Sequence, residues 1–150
     1  MLSCTFFGHK DAPRRIANRL REVLLDLIIR QNVAVFYVGN QGSFDCMVRR
    51  ELQVLKQEYT HIRCVVVLAY LPQENENTFD SIETLYPEGL ELVPPKFAID
   101  RRNKWMVSMA DYVVTYVHRA GGALRYKEMA ERRGKHVYNL ADKNTEDITS

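Results

Sequence analysis

The sequence predicts an α/β protein of the Rossmann-like class, a mainly parallel sheet with helices on both faces, and three observations point to it. Strand-like and helix-like segments alternate along most of the chain. The strand-like segments are apolar throughout, as in VAVFYV and IRCVVVLAY, where a half-solvated antiparallel strand would alternate polar and apolar residues. Several of them end in glycine-containing turns that run directly into a helix.

Taken in order, Leu2 to Phe7 reads as the first strand, and GHKDAP supplies the Gly, Asp and Pro that stop it. Pro13 suits the first position of a helix, where a missing N–H costs nothing. From there Ile16, Leu20, Val23, Leu24, Leu27 and Ile28 share one helical face as far as about Arg30. Val33 to Val38 is the second strand and ends in GNQG. Ser43 or Asp45 is placed to cap the following helix, whose Phe44, Met47, Val48, Leu52 and Leu55 again form a stripe. Ile62 to Tyr70 is the third strand.

Leu71 to Lys96 sustains neither period, and a connection of that length inside a compact fold is commonly functional. It is expected to be a surface loop, an oligomer contact, or a lid with Tyr70, Tyr86 and Glu88 facing a ligand. A short strand at Phe97 to Ile99, a helix around Arg101 to Ala110 and a strand at Tyr112 to Val117 follow. After a diglycine turn come a helix from Ala123 to Arg133, Gly134 as its stop, and a last strand from His136 to Leu140. Trp105, Met106 and Met109 read as core contacts of the short helix, and Arg132, Arg133 and Lys135 as a solvated helix end. The polar tail after Ala141 is expected to fray.

The 150 residues fit a single domain, with no repeat and no low-complexity linker. A hydrophobic content of 46% and a charged content of 27% mark a soluble globular protein, and a net charge of +2 does not by itself imply nucleic-acid binding. Cys4, Cys46 and Cys64 are odd in number and widely spaced, which suggests buried thiols in a reducing compartment rather than disulfides or a zinc site. With no signal-like start and no long apolar run, a cytoplasmic location and no membrane partner are expected.

In an open parallel sheet, ligands bind beyond the carboxyl ends of the strands. The residues there are Gly8, His9 and Lys10; Gly39, Asn40, Gln41 and Gly42; Tyr70; Asp100 to Asn103; and His118 to Gly122. An anion close to the backbone needs amides unobstructed by a Cβ, and a helix N-terminus adds partial positive charge. Lys10, Arg101, Arg102 and Arg119 would add full charges at the same edge. His9 and His118 stand after strands, where packing or capping competes with a functional role. There is no HxxxH or HxH spacing for a metal, no GxSxG elbow, no phosphate-binding P-loop and no GxGxxG fingerprint. A metal, a serine nucleophile and a standard dinucleotide cofactor are therefore not expected.

FFGHK, YVGNQGSFD, LYPEGLE, RRNKWMVSMADYVVTYV and RAGGALRYKE, in that order and spacing, resemble small stand-alone members of the SLOG superfamily. That Rossmann-like group joins the DNA-processing protein SMF/DprA with the Lonely Guy (LOG) phosphoribohydrolases, and the resemblance runs from Thr5 to Ala141. It implies that Arg102, Asn103, Met106 and Asp111 occupy the LOG pattern of Arg-Lys, Met and Asp, with Asn in place of Lys. It also implies that Gly121, Gly122 and Glu128 match the phosphate-binding and glycosidic positions of PGGxGTxxE. Ala120, Leu124 and Arg125 depart from that motif, and Arg125 could replace amide contacts with a guanidinium fork.

The expected function is binding of a nucleotide or nucleotide-derived phosphate, as a sensor or binding module. The candidate ligand residues are Gly8, His9, Lys10, Gly39, Asn40, Gly42, Arg102, Asn103, His118, Gly121, Gly122 and Arg125. The alternative is a LOG-like hydrolase of a nucleoside monophosphate with Glu128 and Arg102 as its catalytic residues. A homo-oligomer stays open. Nucleic acid is not expected as a partner, because the charge is nearly balanced and no basic stripe is interleaved with aromatics.

Overall fold

A computed structural model describes residues 1–72 and 82–142. Its elements are β1 (Leu2–Gly8), α1 (Ala17–Ile29), β2 (Val33–Val38), α2 (Gly42–Glu58), β3 (Arg63–Val67), β4 (Glu83–Leu85), α3 (Ala98–Met109), β5 (Tyr112–Tyr116), α4 (Gly122–Arg132) and β6 (His136–Asn139). All six strands form one sheet in the order β4-β3-β2-β1-β5-β6, and every neighbouring pair is parallel. The Rossmann-like α/β prediction therefore holds.

Alternation within each strand splits the core in two. Phe6 and Phe36 face α1 and α2, where Leu20, Leu24, Leu52 and Phe44 are fully enclosed. Phe7 and Val113 face α3 and α4 and pack against Met106, Val107, Tyr126 and Ala130. Each such side chain contributes about 1.5–3 kcal/mol on leaving water, so both helix pairs are held by burial rather than by caps. None of the four helices has a side-chain hydrogen bond at its N-cap.

Three local expectations are corrected. Ser43 and Asp45 do not cap α2; Gln41 is the N-cap residue, and its N–H donates to Asp45 Oδ2 at 2.9 Å. Phe97 to Ile99 is not a strand: Ala98 and Ile99 already belong to α3, entered through a short 3₁₀ turn at Pro95–Phe97. The sixth strand is instead Glu83–Leu85, inside the segment read as irregular. Three residues are too few for a period, and β4 is held to β3 by backbone pairing and by the Arg63–Glu83 ion pair. Met109, expected in the core, is 46% exposed. Gly134 does end α4, with φ +75°.

Of the proposed lid, residues 73–81 lie outside the described residues, as do 143–150 of the tail. Tyr70 is exposed and donates its hydroxyl to the Pro95 carbonyl at 2.8 Å. Cys4 and Cys64 are buried and Cys46 half-buried, all as free thiols. No described helix is long and apolar enough to cross a membrane.

Candidate functional site

Strand order reverses beside β1: β2, β3 and β4 build out on one side, β5 and β6 on the other. Where the chain leaves β1 and β5 in opposite directions, the helices that follow them separate and a crevice is left between. A cleft of about 440 Å³ lies there, lined by Gly8, His9 and Lys10 after β1 and by Gln41 and Asp45 at the start of α2. Ile99, Arg102, Asn103 and Met106 of α3 and the stretch Arg119 to Ala123 with Tyr126 complete it.

The floor of the polar half is Arg102, whose side chain is only 2% exposed. Its Nη1 donates to the Val67 carbonyl at 2.9 Å and to Asn40 Oδ1 at 3.2 Å, and its Nε to Asn103 Oδ1 at 2.8 Å. Three fixed acceptors hold the planar guanidinium in one orientation, which a lysine could not reproduce. Burial lowers its pKa and the nearby Asp45 carboxylate opposes that shift. Gly39 makes the arrangement fit: a Cβ there would lie 2.7 Å from Asp45 Oδ2 and 3.4 Å from Arg102 Cζ.

Asp45 is 9% exposed. Burial pushes its pKa up to about 6, against the hydrogen bond from Gln41 and the charges of Arg102 and Arg49. Between pH 4 and pH 6 the folded protein therefore holds a proton that the unfolded chain has released. More protons on the folded state mean that stability falls as pH rises through that window. Relative to Asp45→Asn, the wild type is expected to lose on the order of 2 kcal/mol between pH 4 and pH 6 and nothing further above it. Chemical denaturation of both proteins across that range checks this. The difference is the readout because Asp11 and Glu83, whose pKa values their arginine partners hold low, act in the opposite sense at lower pH.

His9 closes the cleft from the β1 side. The His118 N–H donates to His9 Nε2 at 3.1 Å, so that ring is neutral with its proton on Nδ1. Burial, then the charges of Arg119 and His118, lower its pKa. With Tyr116 and His118 packed edge-on around it, His9 ties the end of β1 to the end of β5.

The opposite wall is the start of α4. Gly121 is its N-cap at φ 145° and ψ −168°, a conformation that essentially only glycine adopts. A Cβ on Gly121 or Gly122 would meet nothing within 4 Å. The amides of Gly122, Ala123 and Leu124 have no carbonyl one turn back, and no side chain caps them. Behind them Tyr126 donates to Asp100 Oδ1 at 2.5 Å, which with burial raises the phenol's pKa to about 12. Burial alone would raise the Asp100 pKa, but the hydrogen bonds from Tyr126 and Lys104 hold it low.

Of the candidate residues, Gly8, His9, Lys10, Arg102, Asn103, Gly121 and Gly122 line the cleft together. Asn40 and Gly39 stand behind Arg102 and Asp45. At the Gly42 turn the Ser43 N–H donates to the Lys10 carbonyl at 2.9 Å, so that amide is occupied within the protein. His118 and Arg125 are exposed, and Arg125 is engaged with Asp100 at 3.4 Å and with the face of Tyr126. Glu128 is exposed and does not line the cleft. The sequence reading missed Asp45 as a cleft residue, having treated it only as a cap, and missed Tyr126. The spacing Gly122, Tyr126, Ala130 puts Tyr126 on the same helical face as the diglycine and could have found it.

A second hollow of about 300 Å³ is lined by Pro87, Glu88, Arg101, Lys104, Trp105 and Arg133, among others. Glu88 therefore faces this hollow and not the cleft.

Fold and cleft together define a Rossmann-like α/β protein with an open crevice at the reversal of strand order. Among solved structures it is similar to DNA processing protein A from Helicobacter pylori, with a TM-score of 0.64, 14% identity, and 99% of this chain and 74% of that chain covered. That structure was described for its single-stranded DNA binding mode. The likeness concerns the fold, and the neighbour belongs to one of the two groups joined in the SLOG resemblance. In sequence, no known family and no curated protein matches the chain. The expectation that nucleic acid is no partner is overturned by this neighbour, because a protein of the same fold binds single-stranded DNA. A net charge of +2 was the wrong quantity to judge by, since local clusters such as Arg101, Lys104 and Arg133 are averaged away in it.

Proposed function

We propose that the chain binds a nucleotide or nucleotide-derived phosphate in the cleft between β1 and β5, as a binding or sensing module. The observation that supports this most is the uncapped start of α4, with unobstructed space at Gly121 and Gly122, opening on a cleft that Lys10, Arg102 and Arg119 also line. An anion there would receive backbone N–H groups and the positive end of the helix dipole. About 440 Å³ is within the range of small-ligand pockets. Glycosidic hydrolysis has no comparable support, since Glu128 stands outside the cleft.

Thermal denaturation with a panel of nucleoside mono- and diphosphates, ADP-ribose and cyclic nucleotides tests the reading. A ligand at 100 times its Kd is expected to add about 2.7 kcal/mol, a rise of roughly 5–10 °C at this chain length. Gly122→Val, at a glycine whose backbone is not in the left-handed region and whose Cβ would meet nothing within 4 Å, puts a branched side chain beside the amides and is expected to abolish the rise. No shift with any member of the panel refutes the proposal.

The second hollow favours a further reading, in which single-stranded nucleic acid lies across the same side of α3. Arg101, Lys104 and Arg133 would meet phosphates, and Trp105 would offer a stacking face. Trp105 is the chain's one tryptophan, so its fluorescence reports on that hollow alone. Quenching by a short oligodeoxythymidylate that weakens as salt is raised from 50 to 200 mM is the expected result. Unchanged emission at low salt removes this reading.

A further inference from the structure

The turn between β5 and α4 is held firmly at its two ends and by very little between them. Asn139 grips Val117 just before the turn, accepting from its N–H and donating to its carbonyl, each at 2.9 Å. Helical bonding resumes at Gly121, whose carbonyl accepts from the Arg125 N–H at 3.2 Å. Among the described residues, the backbone of residues 118–120 makes a single hydrogen bond, from the His118 N–H to His9 Nε2 at 3.1 Å. The other tie between this turn and the loop after β1 is made by exposed side chains, Arg119 to Asp11 at 2.7 Å.

From this geometry we infer that His9 is a proton-operated latch: neutral, it fastens the 118–121 turn to the end of β1, and on protonation it releases that turn and with it the diglycine start of α4. An imidazolium carries an N–H on both ring nitrogens, so Nε2 would then point a donor at the His118 N–H, and turning the ring over would present another donor. The residue is 6% exposed, so the charged ring reaches water only if the turn moves off it. No free counter-charge stands by. The titratable and charged groups around the ring, among the described residues, are Tyr116, His118, Arg119 and Asp11, and the one carboxylate of the set, Asp11, is already paired with Arg119. Burial, then the charges of Arg119 and His118, hold the His9 pKa below its ordinary 6.5 against the pull of Asp11. The latch is therefore shut at neutral pH and opens in mild acid.

Nitrogen-15 NMR of the labelled full chain, from about pH 7.5 down to about pH 4.5, tests the inference. Near neutrality the His9 ring is expected as the Nδ1–H tautomer, and as it takes up its second proton the amide signals of His118, Gly121 and Gly122 are expected to shift with the same midpoint. Hydrogen-exchange protection of the His118 amide, corrected for the intrinsic pH dependence of exchange, is expected to fall about tenfold or more across the range. In His9→Gln, whose carboxamide oxygen can accept the same N–H but takes up no proton, the fall is expected to stay below about threefold. His118, Asp11 and Asp45 are all retained in that variant, so the difference between the two proteins belongs to His9. A His9 ring that stays neutral throughout, a His118 amide whose protection does not follow the ring, or the same fall in folded His9→Gln overturns the inference. The first two results are read on the wild type and decide the matter even where the variant does not fold. No ligand is added, so failure here leaves the phosphate reading to its own test.

Discussion

Replacing Arg102 by Met is expected to destabilise the protein by about 3 kcal/mol or more, even though the two side chains are of similar length. The guanidinium is the donor for the Val67 carbonyl, Asn40 Oδ1 and Asn103 Oδ1, and all three are left facing an apolar side chain. The Val67 carbonyl is buried, and leaving it unsatisfied costs about 1–3 kcal/mol, with smaller losses at the half-buried Asn40 and Asn103. Asp45 also loses the nearest positive charge opposing its desolvation. The melting temperature is expected to fall by roughly 6–12 °C at this size. Arg102→Lys is expected to fall in between, because one ammonium cannot replace the two-sided reach of the fork. A melting temperature within 2 °C of wild type for Arg102→Met would show that these hydrogen bonds are dispensable.

The other large effect is expected at Gly8. A Cβ there would lie 2.4 Å from Cγ and Cδ2 of Phe44 and 2.9 Å from its Cβ. Phe44 is 1% exposed and has nowhere to rotate, so Gly8→Ala must push α2 away from β1. Overpacking of this kind costs about 1–3 kcal/mol. If that crowding is the cause, the cost of Gly8→Ala should shrink by at least half in a Phe44→Leu background, which a double-mutant cycle measures. An equal cost in both backgrounds would place the glycine's role elsewhere, in the cleft it borders.

These two positions show what could and could not be read from the sequence. The parallel sheet, its helices and the edge where the cleft lies were legible, because apolar strands, helical stripes and glycine turns are local signals. Gly8 and Gly39 were marked for an open backbone, yet each glycine is explained by a neighbour, Phe44 for one and Asp45 for the other. That difference lies in three-dimensional packing. Arg102 was marked by its place at the expected sheet edge and again by a resemblance, while its burial depended on acceptors 35 and 62 residues away. Asp45 was hidden because an Asp near a helix start has an ordinary explanation as a cap. The strand at Glu83–Leu85 was missed because its partner, not its own three residues, makes it a strand.

The position of β1 also governs when the cleft can exist. This first strand lies in the interior of the sheet, and its second neighbour is β5, with Cys4 paired to Tyr112. Until residue 116 has been made and docked, β1 presents an open edge, and His9 has no Tyr116 carbonyl and no His118 amide to meet. Such distant pairing slows folding through the entropy of closing a long loop. The cleft is then among the last parts to assemble, and amino-terminal fragments ending before β5 are expected to be aggregation-prone and to lack it.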